Sequence, residues 1–211
     1  MAIPLLLPKL ELPAILDALE AHLVVAPEPI ELWNSLVCEH HYLKNANLVG
    51  EQLRYVLTYQ GQWAALLGWS AASFHLRDRE KWLRWSNLQR RSRLHLLAPN
   101  SRFVVRVDRT PWPNLARRSL GLVCRRLSQD WQQAYGHPIA AVESFVDGQW
   151  FRGTAYKATG WELLGQTDGF GRVAEDFHTP HDRPKQLWVK SLVADAPARL
   201  SVQGLPEAWR A

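Results

Sequence analysis

Glu143 stands inside an otherwise apolar run, IAAVESFVD from Ile139 to Asp147, on the side it shares with Ile139, Ala141 and Phe145. A carboxylate there must be paired, protonated or turned toward a cavity, because burying it alone is costly. Two readings stay open: an ion pair with one of the many arginines, or a general base with a raised pKa. Tyr156, Gly160 and Trp161 follow in FRGTAYKATGW, with the spacing of a tyrosine near a helix end, a closing glycine and an aromatic that opens a strand. His41, in CEHHY (38–42), is either a proton-transfer group or a hydrogen-bonded structural histidine. Ser/His/Asp catalysis is set aside because no G-x-S-x-G elbow is present. CEHHY and HTPH (178–181) carry His and Cys, but neither an i, i+4 His pair with Glu nor a C-x-x-C appears, so no metal is expected.

A second group of residues suits anions. Asn114, Arg117 and Arg118 lie in RTPWPNLARR (109–118), at the start of the longest helical pattern, where unpaired N–H groups and the helix dipole favour phosphate. Arginines in a first turn oppose that dipole, so they mark either an anion site or a basic solvated face. Upstream, Arg77, Arg79, Lys81, Arg84, Arg90, Arg91 and Arg93 accompany Trp82 and Trp85, against Asp78 and Glu80. Such a helix would track a phosphate backbone with its rings stacked on bases; alternatively, the tryptophans face the core and the arginines only solvate the outside. DGFGR (168–172) reads as a flexible turn whose Arg172 adds another cation.

The elements that must position these groups follow from pattern. IELWNSLVCEHHYL (30–43) reads as an amphipathic helix with Leu32, Leu36 and Cys38 on its apolar side. LRYVLTYQGQWAALLGWSAASF (53–74) reads as a hairpin about Gln60–Gln62, and Asp78 opens one long basic helix to Leu97. SRFVVRVD (101–108) is a strand. Ala116, Leu120, Val123, Leu127, Trp131 and Ala134 then form a helical stripe that ends at Gly136 and Pro138. With the buried strand 139–147 this makes a βαβ unit, which demands a parallel pair. A short helix in FRGTAYKATG and strands in WELLGQT and QLWVKSLV complete the order. The fold class is therefore α/β, in the α+β sense of a mixed sheet, with a central parallel βαβ unit flanked by helices. A ligand is expected beside Asp108–Arg118 and the end of strand 139–147, where the carboxyl ends of parallel strands open.

Length and composition set the frame. The 211 residues suit one domain, taken as residues 29–211 behind an arm of residues 1–28. With 47% hydrophobic and 21% charged residues the chain folds rather than staying disordered. A net charge of +5 favours polyanions, and eleven tryptophans supply rings for a core or for stacking. Cys38 and Cys124 form no disulfide framework, which suits a reducing cytoplasm. MAIPLLLPKLELP reads as neither signal peptide nor membrane span, being broken by Pro4, Pro8 and Lys9.

Two resemblances extend this reading. The βαβ centre followed by Tyr156, Gly160 and Trp161 resembles the GCN5-related N-acetyltransferase (GNAT) fold. The resemblance implies an acyl-coenzyme A-like donor and a tyrosine that protonates the departing thiolate, with Tyr156 in the matching place. The superfamily's phosphate loop carries glycines before the crossover helix, where this chain has RTPWPNLARR. The strings HHYL, GEQLRYVL, AALLGWSAASFHLRDREKWLRW, NSRFVV, PNLARRSL, DWQQAYGHP, ESFVD, FRGTAYKATGW and GQTDGFGR are similar to the DruA family of the Druantia antiphage system, whose relatives also accompany transposases. Positions matching that family's polar residues are His41, Tyr42, Arg54, Asn100, Arg102, Asn114, Glu143, Asp147, Thr154, Tyr156 and Arg172. The resemblances together imply a group transferase acting on nucleic acid, DNA first, in phage defence or mobile-element biology, with partner proteins of such a system. In it Glu143 or His41 is the base and Tyr156 the acid; Asn114, Arg117, Arg118 and Thr154 hold the donor; and Arg77, Lys81, Arg84, Trp85, Arg90, Arg91 and Arg172 hold nucleic acid. The alternative is a non-catalytic DNA-binding module that has lost the donor site.

Overall fold

A mixed sheet of seven strands runs in the order 20–23, 53–59, 62–69, 97–105, 141–146, 186–191 and 162–166, with strands 170–174 and 177–180 paired separately. The structure is a computed structural model that describes residues 17–107, 112–167 and 183–210, and the backbone of 170–174 and 177–180. The chain divides into two compact units, residues 1–70 with 101–126 and residues 71–100 with 127–211. Of the three crossings, 100/101 falls inside a strand, 126/127 inside a helix and 70/71 just after a strand.

The first unit holds β1 (Glu20–Leu23), α1 (Pro27–His40), β2 (Leu53–Tyr59) and β3 (Gln62–Trp69). β2 and β3 form the expected hairpin, closed by Gln60 and Gly61 at φ 49° and 75°. Positive φ at both central positions is the mirror-image turn whose twist matches the strands it joins. Residues 20–23, read from sequence as part of an arm, pair antiparallel with β2 as an edge strand. Helix α1 buries Trp33, Leu36 and Val37 in a cluster with Val56, Leu66 and Val104. Leu32 is half exposed and Cys38 exposed, so the apolar face is turned by one residue from the one expected. Trp33 explains the turn: the largest side chain takes the core, its indole N–H donates to the Tyr55 carbonyl at 3.1 Å, and Gly68 gives it room.

The second unit begins with α2 (Arg77–Leu83) and α3 (Asn87–Arg93). Sequence periodicity predicts one helix here, but Arg84 adopts a left-handed conformation at φ 53° and closes α2. A capping box then opens α3: the Gln89 N–H donates to Ser86 Oγ at 3.2 Å, and the Ser86 N–H donates to Gln89 Oε1 at 2.9 Å. β4 (Leu97–Val105) and α4 (Leu115–Tyr135) are shared between the units; β5 (Ala141–Val146) follows. β4 and β5 are parallel, as the βαβ reading requires, in the register Leu97↔Ala141 to Pro99↔Glu143. Leu120, Val123, Leu127 and Trp131 form the buried stripe of α4, whereas Ala134 is exposed. Gly136, at φ 82°, ends the helix as its spacing predicts.

Beyond β5 come α5 (Thr154–Ala158), β6 (Glu162–Gln166), β7 (Phe170–Ala174), β8 (Phe177–Pro180), β9 (Gln186–Ser191) and α6 (Ala196–Ser201). β9 lies antiparallel between β5 and β6. Residues 170–172 of the expected turn belong to β7, which pairs with β8. Leu83, Leu96, Leu97, Ala140, Ala141, Ala196 and Leu200 make the core of this unit, with Trp82 and Trp85 packed on it. Among the described residues no helix is long and apolar enough to cross a membrane.

Candidate functional site

Successive side chains of β5 point to opposite faces, which decides what Glu143 and its neighbour meet. Glu143 is 2% exposed and faces Arg79 of α2, itself 1% exposed. Arg79 Nη1 donates to both carboxylate oxygens, at 3.2 and 3.3 Å, while Nη2 donates to the Phe74 carbonyl at 3.1 Å. Burial pushes the Glu143 carboxyl above its usual range, against the pull of Arg79. Of the two readings open from sequence, the ion pair is the one the structure forms. Both carboxylate oxygens accept hydrogen bonds from a buried cation. Helix α2 comes close because Gly165 of β6 has no Cβ; one there would clash with the Asp78 carboxylate.

Ser144 carries the other face. Its Oγ donates to Tyr156 Oη at 2.9 Å, and it also lies 3.2 Å from the Asn100 carbonyl. Tyr156 Oη in turn donates to Asn100 Oδ1 at 2.8 Å. Asn100 and Ser144 are the residues that follow the last paired register of the parallel strands, Pro99↔Glu143. The Tyr156 ring is held edge-on to Trp161 with centroids 4.9 Å apart, and stacks on Trp188 at 6.4 Å. Gly153 starts α5 in the left-handed conformation at φ 68°, where a Cβ would lie 2.6 Å from the Trp188 indole. Glycine is thus required both by backbone angle and by space. The structure does not bring Glu143 and Tyr156 together, because adjacent residues of β5 serve them on opposite faces.

His41, the third proposed catalytic residue, belongs to the first unit, while Glu143 and Tyr156 belong to the second. It is buried, and its Nδ1 accepts the Leu43 N–H at 3.2 Å, as in the structural alternative. Arg102 braces the same region by donating to the carbonyls of Asn45 and Asn47. The donor-binding candidates are also divided: Asn114, Arg117 and Arg118 lie in the first unit and Thr154, exposed at the start of α5, in the second. Asn114 takes φ 67° immediately before α4, so it supplies a left-handed residue rather than the extended backbone of an ordinary N-cap. Arg118 pairs with Asp17 at 3.0 Å. No glycine stands from 109 to 118, residues 108–111 lie outside the described residues, and Arg118 shares its charge with the exposed Asp17.

The basic segment sorts into two sets. Arg79, Arg90 and Arg93 are buried: Arg90 donates to Glu80 at 2.8 Å and to Asn87 at 3.1 Å, and Arg93 donates to the carbonyls of Leu200 and Gln203. Trp85 donates its indole N–H to the Leu200 carbonyl at 2.7 Å and packs on the core. Arg90 and Trp85 are thus committed to contacts within the unit. Arg77, Lys81, Arg84 and Arg91 remain exposed. Arg172 sits in β7, and its side chain lies outside the described residues. Sequence reasoning misses Ser144 and the distinct task of Arg79; a polar residue next to Glu143 inside a doubly buried strand is the signal that marks the first.

The mixed sheet, parallel β4–α4–β5 unit and short Tyr156 helix define a GNAT-type α/β fold. Solved structures agree: a GNAT-family acetyltransferase from Desulfovibrio desulfuricans is similar over 83% of this chain and 100% of its own, with TM-score 0.50 and 11% identity. The aminoglycoside enzyme AAC(6')-Ib, solved with ribostamycin and coenzyme A, is similar over 89% of this chain and 100% of its own, with TM-score 0.53 and 10% identity. A comparison with curated protein sequences finds no match. The family pattern described as Druantia protein DruA matches residues 18–179. The chain belongs to the DruA family.

Proposed function

We propose that this DruA-family chain is a nucleic-acid-binding protein built on a GNAT-type fold and working in phage defence or mobile-element biology. The observation that carries the reading is the exposed face of α2 and α3. Arg77, Lys81, Arg84 and Arg91 reach solvent there, while Glu80 is paired with Arg90 and the neighbouring aromatic Trp85 is turned inward. Asp78 pairs with Arg77 at 3.6 Å and with Lys81 at 3.5 Å, one carboxylate against four cations, and the net positive charge that remains tracks a phosphate backbone and releases counterions on binding. Four phosphate contacts give a slope of about −3.6 for log affinity against log salt on a duplex. Fluorescence anisotropy of a labelled DNA duplex between low and physiological salt measures that slope. Alanine at Arg77 and Arg84 together lowers its magnitude by about 2. An absence of binding at low salt, or a slope unchanged in that variant, refutes the reading.

A second reading, a group transferase, is favoured by one observation. The Tyr156 hydroxyl is held by Asn100 and Ser144 where the parallel pairing of β4 and β5 stops, a placement suited to a proton donor. A thermal-shift scan against coenzyme A derivatives, S-adenosylmethionine and nucleotides separates the two readings, since a ligand bound only by the native state raises the melting midpoint. A donor that raises it, with turnover lost in Tyr156→Phe, favours the transferase.

A further inference from the structure

The loop from β5 to α5 carries a feature that the basic face of α2 and α3 does not. Gly148, Gln149, Trp150, Phe151 and Arg152 are exposed in succession, with Trp150 at 66% and Phe151 at 50% of their full exposure. Two large rings side by side in water forgo the burial that ordinarily stabilises such residues. Their presentation is nevertheless fixed. Asp147 is buried, its carboxylate accepts the Gln149 N–H at 3.0 Å, and its carbonyl accepts the N–H groups of Trp150 and Phe151 at 3.1 and 2.9 Å. At the far end Gly153 locks against the Trp188 ring. The loop is therefore a braced turn that holds both aromatics outward, at the carboxyl end of a parallel strand, where open sheets bind ligands.

Charge selects the partner. From Asp147 to Trp161 the sequence contains one carboxylate, Asp147, and it is buried in the turn, whereas Arg152 and Lys157 are exposed. Exposed rings flanked by cations, with no exposed acid among them, match unpaired bases stacked on the rings and phosphates beside the cations. A paired base inside a duplex does not offer its face to a protruding ring. From this juxtaposition we propose that the Gly148–Arg152 loop binds single-stranded nucleic acid by stacking bases on Trp150 and Phe151. The inference rests on the nucleic-acid reading above and adds strand preference and a second contact site to it.

The test compares full-length protein with the double variant Trp150→Ala/Phe151→Ala, by anisotropy on a labelled oligo(dT) strand and on a blunt duplex of equal length, at several salt concentrations. Both positions are exposed, so the variant keeps its melting temperature. The expected result is about a tenfold to hundredfold loss of affinity for the single strand, with its salt slope and the duplex affinity unchanged. Equal loss on strand and duplex overturns the stacking proposal, as does no loss on either, while leaving the basic face of α2 and α3 standing. Failure of the unaltered protein to bind either oligonucleotide overturns both, and self-association lost in the double variant would then assign the loop to a protein interface.

Discussion

Replacing Arg79 by methionine isolates the ion pair on which the reassignment of Glu143 rests. Both partners are almost wholly buried, at 1% and 2% exposure, so water screens neither of them. Removing one member of such a pair strands the other and costs about 3–5 kcal/mol. The Phe74 carbonyl also loses its donor, which adds about 1 kcal/mol. Without Arg79 the two influences that lower the Glu143 pKa vanish, and desolvation raises it further. The folded state then keeps a proton that the unfolded chain releases. Stability of Arg79→Met is accordingly least impaired in acid and declines as pH rises from the unfolded carboxylate value toward the folded one, by about 1.4 kcal/mol for each unit between them. Wild type shares the sign over a narrower pH window, because its Glu143 pKa is raised as well but is held down by Arg79. Leucine at Glu143 in the same chain removes the stranded carboxylate, and the double variant returns to within about 2 kcal/mol of wild type. Urea denaturation followed by circular dichroism at pH 5, 7 and 8 measures all three proteins. A loss below about 1 kcal/mol in the single variant, or a double variant as unstable as the single, refutes a structural ion pair.

Three other outcomes follow from named contacts. Gly153→Ala forces a Cβ into the Trp188 indole at a left-handed φ and costs at least about 2 kcal/mol, read as a lowered melting temperature; a loss under about 1 kcal/mol would show that α5 shifts freely. Tyr156→Phe removes the hydroxyl between Asn100 and Ser144 and costs about 1–3 kcal/mol in denaturant unfolding, while DNA affinity stays unchanged; weakened DNA binding at full stability would place Tyr156 in the interface instead. Trp85→Phe keeps a ring but loses the bond to the Leu200 carbonyl, so it destabilises by about 1–3 kcal/mol without altering the salt slope on DNA, and a changed slope would return Trp85 to the binding face.

Local signals in the chain were enough for the βαβ centre. The stripe Leu120, Val123, Leu127 and Trp131 has helical spacing, Gly136 provides the left-handed stop, and 139–147 is a short, mostly apolar run after that stop, the length and pattern of a buried strand. The Gln60–Gly61 hairpin was legible for the same reason, since its turn residues act through their own backbone angles. The division of the basic segment was written as Ser86 and Gln89, a capping box that a longer periodicity masked. The apolar face of α1 was less legible, because Leu32 and Cys38 look as apolar as Val37 until the space left by Gly68 selects Trp33.

What sequence by itself determined was the set of candidates: a carboxylate in a buried strand, a tyrosine before a Gly-aromatic pair, and an excess of arginine and tryptophan. Only tertiary structure decided which of them meet. β5 turns Glu143 and Ser144 to opposite faces, so one finds Arg79 and the other Tyr156. The arginines of this basic segment look alike in sequence; a partner distant along the chain, Glu143 for Arg79 or the Leu200 carbonyl for Arg93, separates a buried clamp from a solvent-facing cation. Burial and pairing are long-range properties, set by which segments the fold brings into contact, and no local pattern encodes them.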